Sequence, residues 1–387
     1  MKGAQAVLRL KRGRERARTH PWIFKGEVAD VSDVEPGAAV TVIDAAGKFV
    51  GRGHYNPRPA LCCRLLTRRD EPVDAGFFLQ RLEAAWEYRR AAGLVSDAYR
   101  LAWSEADALP GLVVDRYGPV SVVQCLTLGV SRAAGWIVEA LGRLFPDGRV
   151  CRLDDLTAAR IEGFDPVREE EAGELVVTEG PCRFAVRPGA GHKTGLYLDQ
   201  SENRALAARH AAGRRVLDAF CYGGGFACHA LKAGAAQALL LDSSAEALAL
   251  ARRNLELNGV SAQAELREGN AFDLLRQLEA GGERFGLVIL DPPPFTRRKD
   301  SVEAAGRGYK EINIRGFKLL ERGGVLATFS CSHHVTQALF EEICRAAAGD
   351  AGVTARVLAT LTQSRDHPVL LTVPETRYLT GLLLQAG

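Results

Sequence analysis

The spacing of apolar positions changes along the chain and predicts different elements in its successive parts. From residue 1 to about 70, short β-like runs alternate with Gly and Pro turns, as at Pro36-Gly37 and 56–59. Strands separated by turn residues at this spacing are typical of a small β-barrel or β-rich module. Residues 75–92 instead repeat apolar positions every three and four residues, which predicts an amphipathic helix.

The middle of the chain has a mixed pattern. Strand-like runs at 112–118 and 120–126 are followed by a predicted helix around 131–145 and by a strand-rich tract near 150–187. This order of strands, helix and strands predicts a separate small α+β domain that ends near Pro188. The predicted domains are residues 1–70, 71–188 and 189–387.

Beyond residue 190, strand-like runs alternate with longer helical ones. The predicted strands are 215–220, 238–242, 264–269, 285–291 and 323–331. The predicted helices lie near 226–233, 244–258, 271–280, 303–321 and 335–348. This alternation predicts an α/β fold with a Rossmann-like, doubly wound and mostly parallel sheet. Two later runs, 353–361 and 376–385, predict a closing antiparallel hairpin.

The composition excludes some classes of protein. The 387 residues are 47% hydrophobic and 25% charged, as expected of a globular protein rather than a disordered one. No apolar run approaches the roughly 18–20 residues that a membrane span needs, and the start lacks the apolar segment of a secretory signal. The nine cysteines are irregularly spaced, which favours reduced thiols in the cytoplasm.

Charge is distributed unevenly along the chain. Residues 1–69 contain 14 Lys and Arg against 6 Asp and Glu, a net charge of +8, whereas the whole chain has +3. A basic N-terminal module indicates an anionic partner such as RNA, although an Arg-rich solvated surface fits the charge equally well. The candidate contacts in this module are Lys11, Arg12 and Arg14.

The residues that follow the predicted parallel strands are the first candidates for a ligand site, since ligands bind at this edge of such sheets. Gly223, Gly224 and Gly225 follow Asp218, and Asp242 ends the next strand, where it can bind a ribose diol. The G-x-G-x-x-G pattern of dinucleotide sites is not met, because Cys228 occupies its last position. S-adenosylmethionine is therefore favoured over NAD, with a purely structural tight turn as the alternative.

Two further strand ends carry candidate residues. Asn270 and Ala271 follow the third strand and could frame an adenine, although a surface turn is about as good an interpretation. After the fourth strand, the prolines of 291–295 make the loop rigid, and Phe295 can stack on a flipped base. Asp291 can bond a ring or exocyclic nitrogen of that base. This arrangement is typical of methyl transfer to a nucleic-acid base, and a structural proline turn is the alternative.

The stretch 329–334 (FSCSHH) follows the fifth strand and precedes a predicted helix. The dipole at a helix N-terminus would favour the thiolate of Cys331, and a thiolate that adds to carbon 6 of a pyrimidine activates carbon 5 for methylation. A metal site is the rival hypothesis. It is disfavoured because the adjacent His333 and His334 diverge and no C-x-x-C pair completes a tetrahedral site.

Together these motifs resemble the bacterial 23S rRNA cytosine-5 methyltransferases that carry an N-terminal PUA domain. The likeness extends over nearly all of the chain, through 20–24, 109–115, 191–195, 197–200, 307–313, 329–332 and 366–369. The resemblance implies a PUA domain, a central α+β domain and a class I methyltransferase domain. It also implies Cys331 as nucleophile, Asp291 at the target base, and Asp199 and Gln200 near the methionine end of the cofactor. Two positions depart from the family pattern. The family usually has Lys or Ala where this chain has Pro294, and Thr where it has Gly223.

The resulting prediction is a cytoplasmic RNA methyltransferase that forms 5-methylcytosine in 23S rRNA through a covalent bond from Cys331 to carbon 6. The predicted cofactor residues are Asp199, Gln200, Asp218, Phe220, Tyr222, Gly223, Gly225, Asp242, Ser243, Asn270, Ala271 and Asp291. The predicted RNA contacts are Phe295, Lys11, Arg12, Arg14 and Lys193. An exocyclic-amine methyltransferase and a non-catalytic RNA-binding assembly factor are the alternatives. The target cytosine, the general base and the oligomeric state, for which a homodimer is one option, are left open.

Overall fold

The computed structural model describes residues 6–13, 19–169, 173–188, 196–295, 302–332 and 334–387. Its backbone contacts divide the chain into two compact units. The first unit contains Met1–Leu175, Val186–Gly195 and Arg365–Thr376. The second contains Val176–Ala185, Leu196–Ser364 and Arg377–Gly387. The three-domain division of the sequence stays a prediction.

The first unit begins with a six-stranded sheet in which short apolar strands enclose a small core. The strands are β1 (Val7–Leu10), β2 (Trp22–Phe24), β3 (Val28–Val31), β4 (Ala39–Ile43), β5 (Phe49–Tyr55) and β6 (Leu61–Thr67). Their order is β2-β6-β5-β4-β1-β3, with β1 and β4 parallel. The side chains of Leu8, Ile23 and Val42 are fully buried in this core.

A four-stranded sheet with helices completes the first unit. Its elements are α1 (Ala75–Ala91), β7 (Ala98–Trp103), β8 (Leu112–Tyr117), β9 (Val120–Cys125), α2 (Leu128–Arg132), α3 (Ala134–Leu144), β10 (Arg149–Arg152) and α4 (Leu156–Glu162). Helix α4 lies in the tract near 150–187 that was predicted to be strand-rich, and this helix was not predicted. Asp155 caps the start of α4 by accepting the N–H of Ala158, and Gly163 ends it with a left-handed φ of 79°.

The second unit is built on a seven-stranded sheet and also holds most of a hairpin. Its elements are β11 (Leu175–Glu179), β12 (Cys182–Val186), α5 (Ser201–Ala208), β13 (Arg215–Ala219), α6 (Gly225–Lys232), β14 (Gln237–Asp242), α7 (Ala245–Leu257), β15 (Ala264–Glu268), α8 (Ala271–Ala280), β16 (Phe285–Leu290), α9 (Val302–Lys318), β17 (Leu320–Ser330), α10 (Gln337–Ala351), β18 (Ala355–Thr362) and β19 (Thr380–Ala386). None of the helices in the described part of the chain is long and apolar enough to cross a membrane.

The order of this sheet is β15-β14-β13-β16-β17-β19-β18. The first five strands are parallel, and β19 pairs antiparallel with both β17 and β18. All six residues of β16 are buried, as expected for a central strand covered by helices on both faces. This confirms the predicted doubly wound sheet with its antiparallel C-terminal pair. The strand order reverses beside β13, so ligands are expected next to its end.

One predicted boundary between a helix and a strand is wrong. The helix predicted to continue to residue 321 ends at Lys318, and β17 begins at Leu320, which pairs with Phe285 of β16. Leu319 and Leu320 are both buried, and an apolar pair of this kind fits either element.

Candidate functional site

The loop between β13 and α6 lies at the point where the strand order reverses. Phe220 and Tyr222 adopt left-handed backbone conformations with φ of 64° and 47°, which residues other than glycine adopt only rarely. Gly225 is packed from below, because a Cβ there would lie 2.9 Å from Cδ of Arg204. The sequence therefore folds into a tight, closely packed loop that a ligand can approach along the backbone.

Asp242, at the end of β14, fixes this loop through backbone N–H groups. Tyr222 N–H donates to Oδ2 of Asp242 at 2.9 Å, and Ser244 N–H donates to Oδ1 at 2.9 Å. Asp242 is half-buried, and a carboxylate oxygen has lone pairs for more than one donor. It can thus hold the loop and still bind a diol. The neighbouring Ser243 is exposed.

The carboxyl group of Asp218 is buried beneath the same loop. Its Oδ2 accepts the N–H of Ala227 at 3.0 Å, whereas Oδ1 has no hydrogen-bond partner among the described residues. Burial raises the pKa of Asp218 to about 7; the bond from Ala227 opposes this rise, and the charges of Asp291 and Asp242 add to it. A buried oxygen without a partner fits a site that receives a donor group from a ligand.

A short turn of 3₁₀ helix, Leu198–Gln200, presents the two residues that the resemblance places at the methionine end. Asp199 and Gln200 are both buried. Tyr378 O–H donates to Oδ2 of Asp199 at 2.7 Å, and Asn203 Nδ2 donates to Oε1 of Gln200 at 2.6 Å. The turn is therefore held in one arrangement by its own side chains.

Aromatic rings line the side of the site that was predicted to receive an adenine. The ring centroids of Phe220 and Phe272 are 6.5 Å apart, and those of Phe272 and Phe295 are 5.7 Å apart. Asn270 is exposed and caps α8 by accepting the N–H of Phe272 at 2.9 Å, while Ala271 is buried. The rings form a continuous apolar cluster, and the predicted cofactor roles of Asn270 and Ala271 stay predictions.

Asp291 and Cys331 follow adjacent parallel strands. Leu290 of β16 pairs with Thr328 of β17, so the two strands end at the same edge of the sheet. The Sγ atom of Cys331 lies 3.9 Å from the carbonyl oxygen of Pro292, which is next to Asp291 in the chain. The structure thus brings together the two residues that the sequence singled out for catalysis.

Cys331 differs from the other cysteines in its exposure. All nine cysteines are among the described residues and none is in a disulfide; eight are buried and Cys331 is half-buried. Burial raises the pKa of Cys62 to about 11 and that of Cys344 to about 12. The buried thiols are therefore poor nucleophiles, and Cys331 is the one that a substrate can reach.

The helix that follows Cys331 begins two residues later than the one predicted near 335–348, so Cys331 lies outside its first turn. Helix α10 begins at Gln337 with Thr336 as its N-cap, and the influence of a helix dipole is confined to its first turn. A hydrogen bond from Val335 N–H to the carbonyl of Ser332 shapes the connection. His333 lies outside the described residues and His334 is exposed. In the described part of the chain, no group of three or more His, Cys, Asp or Glu side chains is placed to hold a metal ion.

Two tyrosines at the site were not assigned a role from the sequence. The half-buried Tyr197 has its ring centroid 5.1 Å from that of Tyr222, and burial raises its pKa, with Asp291 as the next cause. Tyr309 shares a hydrogen bond of 2.9 Å with the hydroxyl of Ser332. Both lie in motifs that carried the resemblance, 197–200 and 307–313, and this was the signal that could have identified them.

Of the four predicted RNA contacts other than Phe295, the structure describes two. Lys11 and Arg12 are exposed in the first unit, and Nζ of Lys11 donates to the carbonyl of Gly26 at 3.1 Å. Arg14 and Lys193 lie outside the described residues.

Comparison with known families agrees with the fold. Residues 165–357 match the family described as S-adenosylmethionine-dependent methyltransferase, and residues 7–68 match a PUA-like domain. A crystal structure of a methyltransferase complexed with SAH superposes with a TM-score of 0.83 at 19% identity, covering 98% of this chain and 99% of that chain. A methyltransferase from Streptococcus mutans has a TM-score of 0.82 at 18% identity, covering 98% and 100%. The predicted α/β fold and PUA-like domain are confirmed. The cofactor is S-adenosylmethionine, which the glycine loop and the Oδ1 atom of Asp218 fit.

Curated relatives are similar over almost the whole chain. The ribosomal RNA large subunit methyltransferase I of Klebsiella pneumoniae (strain 342) is 40% identical over 386 residues, covering 96% of each chain. The protein of the same name from Escherichia coli O9:H4 is 38% identical, covering 96% of this chain and 97% of its own. The chain therefore belongs to the family of S-adenosylmethionine-dependent methyltransferases that includes these ribosomal RNA large subunit methyltransferase I proteins.

Proposed function

We propose that this protein methylates carbon 5 of a cytosine in large-subunit ribosomal RNA, with Cys331 as the covalent nucleophile. The names of the curated relatives give large-subunit ribosomal RNA as their substrate. The observation that carries the proposal is the position of Cys331. Cys331 is half-buried, whereas the other eight thiols are buried. It follows β17, which pairs with β16, the strand that leads to Asp291.

The reaction begins when the thiolate of Cys331 forms a bond to carbon 6 of the cytosine. The displaced electron pair makes carbon 5 nucleophilic. The cofactor, when bound, would supply an electrophilic methyl group from its sulfonium, whose sulfur would keep the electron pair of the broken S–CH3 bond and leave as a neutral thioether. After carbon 5 has taken the methyl group, a base removes its proton. The bond between Cys331 and carbon 6 then breaks, and the thiolate is released with its electron pair.

The other residues of the site position the base. The carboxyl group of Asp291 hydrogen-bonds a nitrogen of the cytosine, which holds the base in place while the thiolate adds. The ring of Phe295 offers a face on which a flipped base can stack. Lys11, Arg12, Arg14 and Lys193 contact the phosphates of the RNA, which supply affinity without reading its sequence.

Replacement of Cys331 tests the proposal. Cys331→Ala removes the nucleophile, so we expect formation of 5-methylcytosine in a ribosomal RNA transcript to fall by at least about 1000-fold, on the scale of lost covalent catalysis. Nucleoside analysis of the RNA by mass spectrometry gives the measurement. Cys344→Ala, at a buried thiol of the same unit, is the matched control and retains activity.

Methylation of an exocyclic amine is the second candidate, because Asp291 and the rigid proline loop suit amine chemistry without a thiol. Full activity of Cys331→Ala with an N-methylated product would establish it in place of the covalent route. A non-catalytic RNA-binding role would instead require that calorimetry detect no binding of S-adenosylmethionine by the wild-type protein.

A further inference from the structure

The hairpin β11–β12 contributes buried polar groups that the reaction does not use. Nε and Nη2 of Arg204 donate to the two carboxylate oxygens of Glu179, each at 2.7 Å. Nε2 of His229 lies 3.0 Å from Oε1 of the same carboxylate. Burial alone would raise the pKa of Glu179, but Arg204 and His229 lower it to about 2. Glu179 and Arg204 therefore form an ionised pair inside the second unit.

This pair is connected to the turn that carries Asp199 and Gln200. Nη2 of Arg204 also donates to the carbonyl oxygen of Tyr197 at 3.0 Å, immediately before the turn begins. The side chain of Arg204 packs beneath Gly225 at the end of the glycine loop. Glu179 thus fixes the guanidinium of Arg204, and Arg204 in turn anchors the backbone just before the turn Leu198–Gln200.

A second buried side chain connects the hairpin to the glycine loop. Oδ1 of Asn254, on α7, accepts the N–H of Ala185 at 2.8 Å. Its Nδ2 donates to the carbonyl oxygen of Gly223, also at 2.8 Å. Asn254 is only 1% exposed, so water cannot replace these bonds readily. The hairpin therefore has a separate hydrogen-bonded connection to each of the two backbone segments.

We propose that hairpin β11–β12 is a positioning element for the cofactor, which sets the spacing between the turn and the glycine loop through Glu179–Arg204 and Asn254. This inference rests on the proposed assignment of both segments to cofactor binding. A buried ion pair is often no more stabilising than apolar residues of equal size, so its geometry is better explained by the segments it orients.

Binding of S-adenosylmethionine to the full-length protein, measured by calorimetry, tests this inference. Glu179→Gln places an amide NH₂ against a guanidinium or imidazole group, and Asn254→Ser removes both bonds of that side chain. We expect each variant to raise the Kd about tenfold, as expected when a buried polar group loses its partner. The kcat at saturating cofactor is expected to change less than the KM for S-adenosylmethionine, because the reacting groups are intact in both variants.

Asn258→Ala is the matched control. Asn258 also joins α7 to the hairpin, through the N–H and carbonyl of Arg183, but it contacts neither cofactor segment. If Glu179→Gln does not fold, the double variant Glu179→Leu/Arg204→Met removes both charges and still loses the bond to Tyr197. Unchanged Kd values in the folded variants, or an equal rise in Asn258→Ala, would overturn the inference. Because this readout needs no RNA, it is independent of the chemistry of Cys331.

Discussion

At the scale of single residues, the candidate site holds three carboxyl groups in different surroundings. Asp242 accepts two backbone N–H groups, and Asp291 stands at a strand end and is half-buried. Asp218 is buried and has one oxygen without a partner among the described residues. Burial is the main cause that raises the pKa of Asp218.

The raised pKa of Asp218 predicts that stability of the ligand-free protein decreases as the pH rises. Its pKa of about 7 lies above the ordinary value of 3.8. The folded protein therefore keeps a proton that the unfolded chain loses between these values. The resulting stabilisation is complete below the lower pKa and is lost as the pH rises through the upper one.

Asp218→Asn is expected to remove this part of the pH dependence. The measurement is the free energy of unfolding in denaturant at several pH values between about 4 and 8. Asp273→Asn, at an exposed carboxylate in an i,i+3 ion pair with Arg276, is the control and retains the wild-type slope. An identical slope in wild type and Asp218→Asn would show that Asp218 does not titrate in this range.

At the scale of elements, the turn Leu198–Gln200 is anchored to the segment around the C-terminal strands. The N–H and hydroxyl of Ser364, just beyond β18, donate to the carbonyl of Asp199 at 2.8 and 2.9 Å. Tyr378, just before β19, donates to its carboxylate. The antiparallel pair therefore orients a residue proposed to bind the cofactor.

Removal of the Tyr378 hydroxyl tests this anchoring. Tyr378→Phe leaves the Asp199 carboxylate without one charge-assisted bond, so we expect the Kd for S-adenosylmethionine to rise about three- to tenfold. Calorimetric titration provides the Kd. Tyr88→Phe, at a tyrosine with 45% exposure in α1, serves as the control. A Kd equal to that of the wild type would mean that the hydroxyl does not position Asp199 for binding.

The sequence predicted the elements best where periodicity is long and the flanking signals are clear. The alternation of strands and helices after residue 190 was sufficient to predict the doubly wound sheet and the antiparallel pair β18–β19. The sequence pattern did not predict α4, although Asp155 and Gly163 are ordinary capping signals. It also predicted that α9 continues past Lys318, where the helix ends. Apolar pairs such as Leu319-Leu320 fit the hydrophobic periodicity of a helix as well as that of a strand. Only the pairing with β16 therefore decides where β17 begins.

The site was predictable to the extent that topology determines it. Asp291 and Cys331 could be placed together because adjacent parallel strands end at the same edge. The contact of Tyr378 with Asp199 joins residues 179 positions apart, and no local pattern indicates it. The pairing of Glu179 with Arg204 was equally hidden, because their buried charges are matched only in the folded unit.

At the scale of the whole molecule, the net charge of +8 over residues 1–69 lies in the PUA-like region. The relatives match 96% of this chain, so the match extends over both this module and the methyltransferase region. A module of this charge suits the phosphates of structured RNA, which proteins recognise largely by shape and backbone.

Substitution of Lys11 and Arg12 tests this role. In Lys11→Ala/Arg12→Ala, we expect RNA affinity at low salt to fall, and the slope of log K against log salt to decrease by about 0.7 for each lost contact. Filter binding or fluorescence anisotropy over a salt series gives both quantities. Lys48→Ala, at an exposed lysine of the same module, is the control. An unchanged slope in the double variant would place the RNA elsewhere.

The central claim, covalent attack by Cys331, is tested most directly by trapping the enzyme on RNA that contains 5-fluorocytidine. Fluorine replaces the proton that must leave carbon 5, so the thiol cannot be released after methyl transfer. With S-adenosylmethionine present, the account predicts a denaturation-resistant adduct that contains the RNA and one methyl group, with the modified peptide mapping to Cys331. Formation of 5-methylcytosine on ordinary RNA without any such adduct, or an adduct on another cysteine, would contradict it.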